Sequence, residues 1–300
     1  MKKKTYLFAL MAMALTLGSC SDNENGIGGE TSKYITVSTS IGNMTRVATD
    51  EKGGQTFEEG DEISVYAWTG DATVAPETRE RVVNNAINKL TNGSWVSTPQ
   101  MLWKNNRDKH YFIGVYPISA ISDLSAGEYT FDETKQVESD LLVAVNKDGL
   151  SYNVDEQQPV PLTFTHVMAK LVVNLTYKNQ WGGIPTVEKV VVGNAAKEAT
   201  INYLTKVVTP STTAKEDFSL PEITENTKYV SVIIPQEEVK QLTIVIGGKN
   251  FVYDNGTPFK LESGKITTVN LEVGRDEIKL GDVKITDWED GSTFSGEAIN

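Results

Sequence analysis

The chain has 300 residues, carries 40 Asp and Glu against 28 Lys and Arg for a formal charge of -12, and contains one cysteine and two histidines. One thiol excludes an internal disulfide, a cysteine-rich zinc site and thiol chemistry elsewhere, and the acidity excludes the basic stripe that nucleic-acid binding requires. In chain order, Lys2-Lys3-Lys4, an apolar run over 6–17 and small residues before Cys20 form a secretory leader, since about 12 apolar residues cannot cross a hydrocarbon core of ~30 Å. Loss of the leader over 1–19 removes three lysines and takes the charge to about -15, which suits a soluble, self-repelling surface.

Leu17-Gly18-Ser19-Cys20 resembles the lipobox cut by lipoprotein signal peptidase, so Cys20 is expected to become the lipidated first residue. The polar stretch 20–32 reads as a flexible tether. Its Asp22, Glu24 and Gly26 echo a calcium loop, but the later ligands, above all a bidentate Glu, are missing. From 33 onward the pattern is short strands broken by turns. The segment 34–41 alternates, with Ile35, Val37, Thr39 and Ile41 on one face and Thr36, Ser38 and Ser40 on the other. Further strands are expected at 62–68, 94–103, 109–116, 141–145, 162–175, 187–192, 228–234, 242–246, 250–253, 266–273 and 278–285.

The spacing of Val82, Val83, Ala86, Ile87 and Leu90 predicts one short amphipathic helix over 79–90. Turn chemistry is expected at Asp148-Gly149 and at Asp254-Asn255-Gly256. The class is all-β. The polar, proline-ended stretch Asp155-Glu156-Gln157-Gln158-Pro159 marks a boundary between an N-terminal domain over 33–157 and a C-terminal domain over 158–300. No repeat of 20 to 50 residues is visible, which disfavours propellers and solenoids.

Catalytic motifs are absent from the sequence: no nucleophile elbow, zinc-protease helix, P-loop or dinucleotide fingerprint occurs. His110 and His166 sit beside apolar or aromatic neighbours and read as structural. Glu58, Glu59, Asp61 and Glu62 crowd one turn around Gly60, whereas glycoside hydrolysis needs two carboxyls facing each other from converging elements. Trp68, Trp95, Trp103, Trp181 and Trp288 could line a carbohydrate cleft or fill cores. No metal or cofactor is expected.

Several motifs in order carry a family resemblance: the lipobox; Thr45-Arg46-Val47-Ala48-Thr49; Phe57-Glu58-Glu59-Gly60-Asp61-Glu62-Ile63; Pro161-Leu162-Thr163-Phe164-Thr165-His166; Ser263-Gly264-Lys265-Ile266; and Ile285-Thr286-Asp287-Trp288. Together they resemble the fimbrillin family, the type V pilins of Bacteroidia. The resemblance implies two tandem transthyretin-like β-sandwich domains with Greek-key-type connections, and no enzymatic role. It also implies export as an outer-membrane lipoprotein and polymerisation into an adhesive fimbrium. In that family an arginine-specific protease cuts after the first strand, which leaves with its lipid, and a neighbouring subunit's strand fills the groove. Arg46 matches the cut, with Val47 as the new first residue; it is the only arginine before Arg79 and precedes a polar loop.

Loss of Ile35, Val37 and Ile41 at roughly 1.5 to 3 kcal/mol each, with several ladder bonds at about 1 kcal/mol net, would leave an open groove on the order of 10 kcal/mol uphill. A donor strand of matching alternation recovers it. Ile278 and Leu280 share one face and Val283 and Ile285 another, so a bend or bulge is expected at Gly281-Asp282; this segment either serves as donor or completes its own sheet. Expected partners are other fimbrial subunits, the outer membrane through Cys20, and the protease. A glycan-binding surface lipoprotein of a polysaccharide-uptake system is the alternative, because it shares the leader, the acidity and the sandwiches; a glycoside hydrolase is the third.

Overall fold

The computed structural model describes residues 33–42, 57–153 and 158–288. Cys20, the tether, Arg46 and Val47 lie outside the described residues, as does most of the expected domain boundary. Among the described residues the chain is all-β. Its strands are β1 (Val37–Ile41), β2 (Glu62–Thr69), β3 (Val83–Thr91), β4 (Ser94–Thr98), β5 (His110–Tyr116), β6 (Gly127–Thr130), β7 (Leu142–Leu150), β8 (Val160–His166), β9 (Ala169–Tyr177) and β10 (Val187–Ala196). There follow β11 (Glu198–Asn202), β12 (Val207–Pro210), β13 (Lys215–Ser219), β14 (Glu222–Thr224), β15 (Lys228–Ile233), β16 (Gln236–Ile246), β17 (Lys249–Leu261), β18 (Lys265–Val273) and β19 (Ile278–Asp287).

Strand composition decides position in the sheets. In the seven-stranded sheet, ordered β1-β8-β7-β5-β2-β3-β4, the central strands β2 and β5 and the first half of β7, 142–145, carry near-continuous apolar runs because both of their faces are covered. Ile63, Val65 and Ala67 of β2 enter one core, shared with Phe112, Leu142, Ala144 and Phe164. Tyr66 and Trp68, one residue out of phase, enter a second and larger core with Ile113, Val115 and Val143. That second core continues through Ile121, Leu124 and Phe131 into the remaining sheets, ordered β12-β11-β6, β13-β10-β16-β17 and β14-β15-β9-β18-β19. β1 and β8 alternate, as strands buried on one face do.

The expected strand 162–175 is two strands. It belongs to the seven-stranded sheet through β8, changes direction at Val167-Met168, and continues as β9 in the centre of the five-stranded sheet. Gly264 pins the start of β18 to this corner: its N–H donates to the Met168 carbonyl at 2.8 Å, and its φ is +66°. A Cβ there would stand 3.0 Å from the His166 carbonyl oxygen, so backbone conformation and close approach both require glycine.

The helix expected over 79–90 does not form. A single 3-10 turn (Thr78–Glu80) precedes β3, which lies between β2 and β4. The physical reason is a bulge: Val65 pairs with Ala86 but Ala67 with Val83, so two residues of β3 face Tyr66. The inserted residue Asn85 has φ +55°, in the left-handed region that Asn tolerates. It places Val83 and Ala86, three apart, in the same core, which imitates helical spacing. Both expected turns are likewise irregularities within strands. Asp148 and Gly149 lie inside β7, where the register against β5 shifts between His110 and Phe112. The chain runs on as β17 through 254–256, with a register shift between the pairs Gln241–Asp254 and Val239–Phe259. Reversals occur instead at Asn92-Gly93 (φ +52° and +73°) and Gly247-Gly248 (φ +60° and +73°), the positive pairs a two-residue hairpin needs.

Candidate functional site at the open edge of the seven-stranded sheet

Among the described residues β1 has one strand neighbour. It runs parallel to β8 in the register Val37–Val160 through Ile41–Phe164, with the Val160 N–H donating to the Thr36 carbonyl and the Gly42 N–H to the Phe164 carbonyl, both at 2.8 Å. On the other edge, among the described residues, only the residues just before β1 pair: Ile35 N–H donates to the Met101 carbonyl at 2.9 Å and Trp103 N–H to the Lys33 carbonyl at 3.0 Å. Beyond that zip the edge opens into a groove of about 790 Å³, lined by Thr36 to Ile41, Phe57, Leu90 and Trp95. The Trp95 indole N–H crosses it to the Thr39 hydroxyl at 3.0 Å.

What holds β1 is side-chain insertion. Ile35, Val37 and Ile41 are 2, 6 and 7% exposed, while Thr36, Ser38 and Ser40 face water. Phe57 closes the far end in edge contacts with Trp95, Tyr116 and Phe164 at 5.3, 5.4 and 5.1 Å between ring centres. These walls escaped the sequence reading, because a parallel partner 123 residues away leaves no local signal.

At the other end of the chain, β19 pairs antiparallel with β18 as the outer strand of the five-stranded sheet. The register shift expected near Gly281 is present: Asn270 faces Asp282, Leu271 faces Leu280, and Gly281 is the extra residue. No residue of β19 is buried; Ile278, Leu280 and Val283 pack partly on the core and Ile285 is 39% exposed. Ile278, Leu280, Val283 and Ile285 are thus placed in the chain's own five-stranded sheet, at its edge.

The acidic turn 58–62 is a clamp for the hairpin beside it. Glu59 accepts the N–H groups of Asn92 and Gly93 at 2.9 and 2.6 Å, Asp61 accepts the Glu58 N–H at 2.7 Å, and Glu62 pairs with Lys89 at 3.1 Å. Gly60, at φ +97°, lets the chain turn inside this set. Asp61 also stands 3.4 Å from the Tyr116 hydroxyl, and burial together with this carboxylate pushes that phenol up to about 12. The five tryptophans do not converge. Trp68 and Trp103 share a cleft of about 810 Å³, but Trp68 is 1% exposed and donates to the Asp71 carbonyl. Trp181 donates to the Val273 carbonyl, and Trp288 stacks on His166.

His110 is fully buried beneath Trp103. One ring nitrogen accepts the Lys104 N–H at 3.1 Å and the other lies 3.0 Å from the Asp108 carbonyl, a pattern that the neutral ring completes. Burial holds its pKa below the usual value of about 6.5. The unfolded chain therefore takes up a proton as the pH falls through about 6.5 while the folded chain resists, so stability contributed above that pH is lost progressively below it. Urea midpoints between pH 7.5 and 5 should fall more steeply for the parent than for His110→Gln. Parallel curves would show that His110 titrates alike in both states.

Residues 45–288 match the fimbrillin-like family, and the chain belongs to it. A relative from Bacteroides uniformis, named as the fimbrium subunit Fim1C, is 25% identical over 316 residues, covering 97% of each chain. Two crystal structures described as cell adhesion proteins share the fold. One, from Bacteroides ovatus, has a TM-score of 0.64, and one from Bacteroides uniformis 0.62; each is 18% identical and covers 85% of this chain and 98% of its own.

Proposed function

We propose that this chain is a fimbrium subunit, exported as a lipoprotein on Cys20, trimmed after Arg46 and joined to its neighbours by strand exchange, with adhesion as its role. The observation that carries the reading is the way β1 is held: one ladder to β8, and Ile35, Val37 and Ile41 inserted like pegs into a core the rest of the sheet already encloses. A strand so attached can be exchanged, because an extended segment with the same alternation can take its place and recover the burial it gave up. β19, outermost in its sheet and with no buried residue, is the candidate donor strand. The arginine-specific cut frees β1, since Arg46 lies five residues beyond Ile41, where β1 ends.

Terminal sequencing of material sheared from cells tests this directly. Chains beginning at Val47 are expected in the sheared fraction. Material that begins only at lipidated Cys20 would remove the cleavage step and leave an anchored, untrimmed subunit.

A further inference from the structure

We propose that Trp288 is the catch that keeps β19 in its own sheet, and that His166, Asp140 and Lys170 form its seat. Besides its ladder to β18, the partial packing of Ile278, Leu280 and Val283, and the exposed pairs Asn270–Asp282 and Lys265–Asp287, β19 has little else. None of its residues is buried, its ladder to β18 is interrupted at Gly281, and its far edge has no strand partner among the described residues. An exposed edge strand of this kind sits at the low end of local stability, because its hydrogen bonds compete with water.

At the end of β19 the situation reverses. The Trp288 N–H donates to the Gly264 carbonyl at 3.1 Å, and its ring lies flat on the His166 imidazole, 4.0 Å between centres and 5° between planes. His166 cannot swing away, because Asp140 Oδ1 holds its Nδ1 at 2.8 Å. Lys170 Nζ is 5.2 Å from the centre of the Trp288 ring, close enough for a cation to be attracted to its face. His166 and Lys170 are 7 and 4% exposed, so the indole lands on a platform whose parts are already fixed. The platform is also rooted in the centre of the fold, since it stands on the corner where β8 becomes β9 and where Ser263 and Gly264 tie β18 to Val167 and Met168. An aromatic ring seated at the end of a weakly held edge strand then governs how often the whole strand opens.

The consequence for assembly rests on the donation reading given above: an edge strand whose firmest attachment is one side chain is released more readily once that side chain is displaced. Hydrogen exchange on the full chain separates the two ideas. Trp288→Ala should accelerate exchange of the β19 amides by about tenfold or more while β9 and β16 stay protected, which also shows that the variant is folded. Trp288→Phe, which retains a ring on His166, should restore part of the protection and Trp288→Leu less. β19 exchange within about twofold of the parent in Trp288→Ala would overturn the catch. Accelerated exchange with protease-induced polymerisation unchanged would uphold the catch and count against β19 as the donated strand.

Discussion

A chain that begins at Val47 should be far less stable than the chain that retains residues 33–42, and a synthetic peptide of those ten residues should restore it. The argument is one of magnitudes. Ile35, Val37 and Ile41 are almost wholly buried, and at roughly 1.5 to 3 kcal/mol each their insertion contributes roughly 5 to 9 kcal/mol. A domain's entire net stability is about 5 to 15 kcal/mol. Removal of β1 also strips β8 of its outer neighbour and uncovers Leu162 and Phe164 in the core they share with Ile63 and Val65. Urea denaturation should therefore show a midpoint displaced far downward, or aggregation. Added peptide should raise the midpoint with concentration, as any ligand of the folded state does. A peptide carrying Val37→Asp should fail, because it would bury an unpaired carboxylate. A truncated chain within about 1 kcal/mol of the parent would mean that the pegs contribute little and that the edge is closed by other residues.

The parts of this architecture legible in the sequence are those whose signal is local. Alternation along 34–41 placed Ile35, Val37 and Ile41 on one face, and those side chains are buried together. The change of parity around Gly281 marked a bulge because two apolar pairs on opposite faces require one extra residue. Where a bulge carried the opposite disguise the reading failed. Asn85 puts Val83 and Ala86 on one side at a spacing of three, and no periodicity analysis separates that from a helical turn. Glycines misled for a related reason: Gly149 adopts φ +68° inside β7, so a positive φ announced an irregular strand and not a reversal. Nothing local announces the parallel pairing of β1 with β8, which depends on contacts formed across 123 residues. Short strands such as β12 to β14, three to five residues long, went unread because they bury almost nothing of their own.

The largest single-residue effect outside β1 is expected at Arg81. It is 8% exposed, and its guanidinium holds the segment that leaves β5: one terminal nitrogen donates to the Ile121 carbonyl at 2.6 Å and to Asn84 Oδ1 at 2.8 Å, the other to the Ser122 carbonyl at 2.6 Å. Its carbon centre lies 5.3 Å from the centre of the Tyr66 ring, whose hydroxyl accepts the Ile121 N–H at 2.9 Å and donates to the Ser119 carbonyl. Burial lowers the Arg81 pKa, but a guanidinium remains charged at any working pH. Arg81→Met keeps the apolar stem, strips the Ile121 carbonyl of its guanidinium donor and leaves the Ser122 carbonyl only the Thr78 hydroxyl at 3.4 Å, so a loss of roughly 2 to 4 kcal/mol is expected at about 1 to 3 kcal/mol for each weakened group. Tyr66→Phe should cost about 1 to 3 kcal/mol through the orphaned Ile121 N–H. Because both side chains hold the same turn, the double variant should lose less than the two single losses added together, by about 0.5 to 3 kcal/mol. Strict additivity in urea denaturation would show that Arg81 and Tyr66 act on separate parts of the chain, and a single loss below about 1 kcal/mol at Arg81 would mean that water replaces the guanidinium at Ile121 and Ser122.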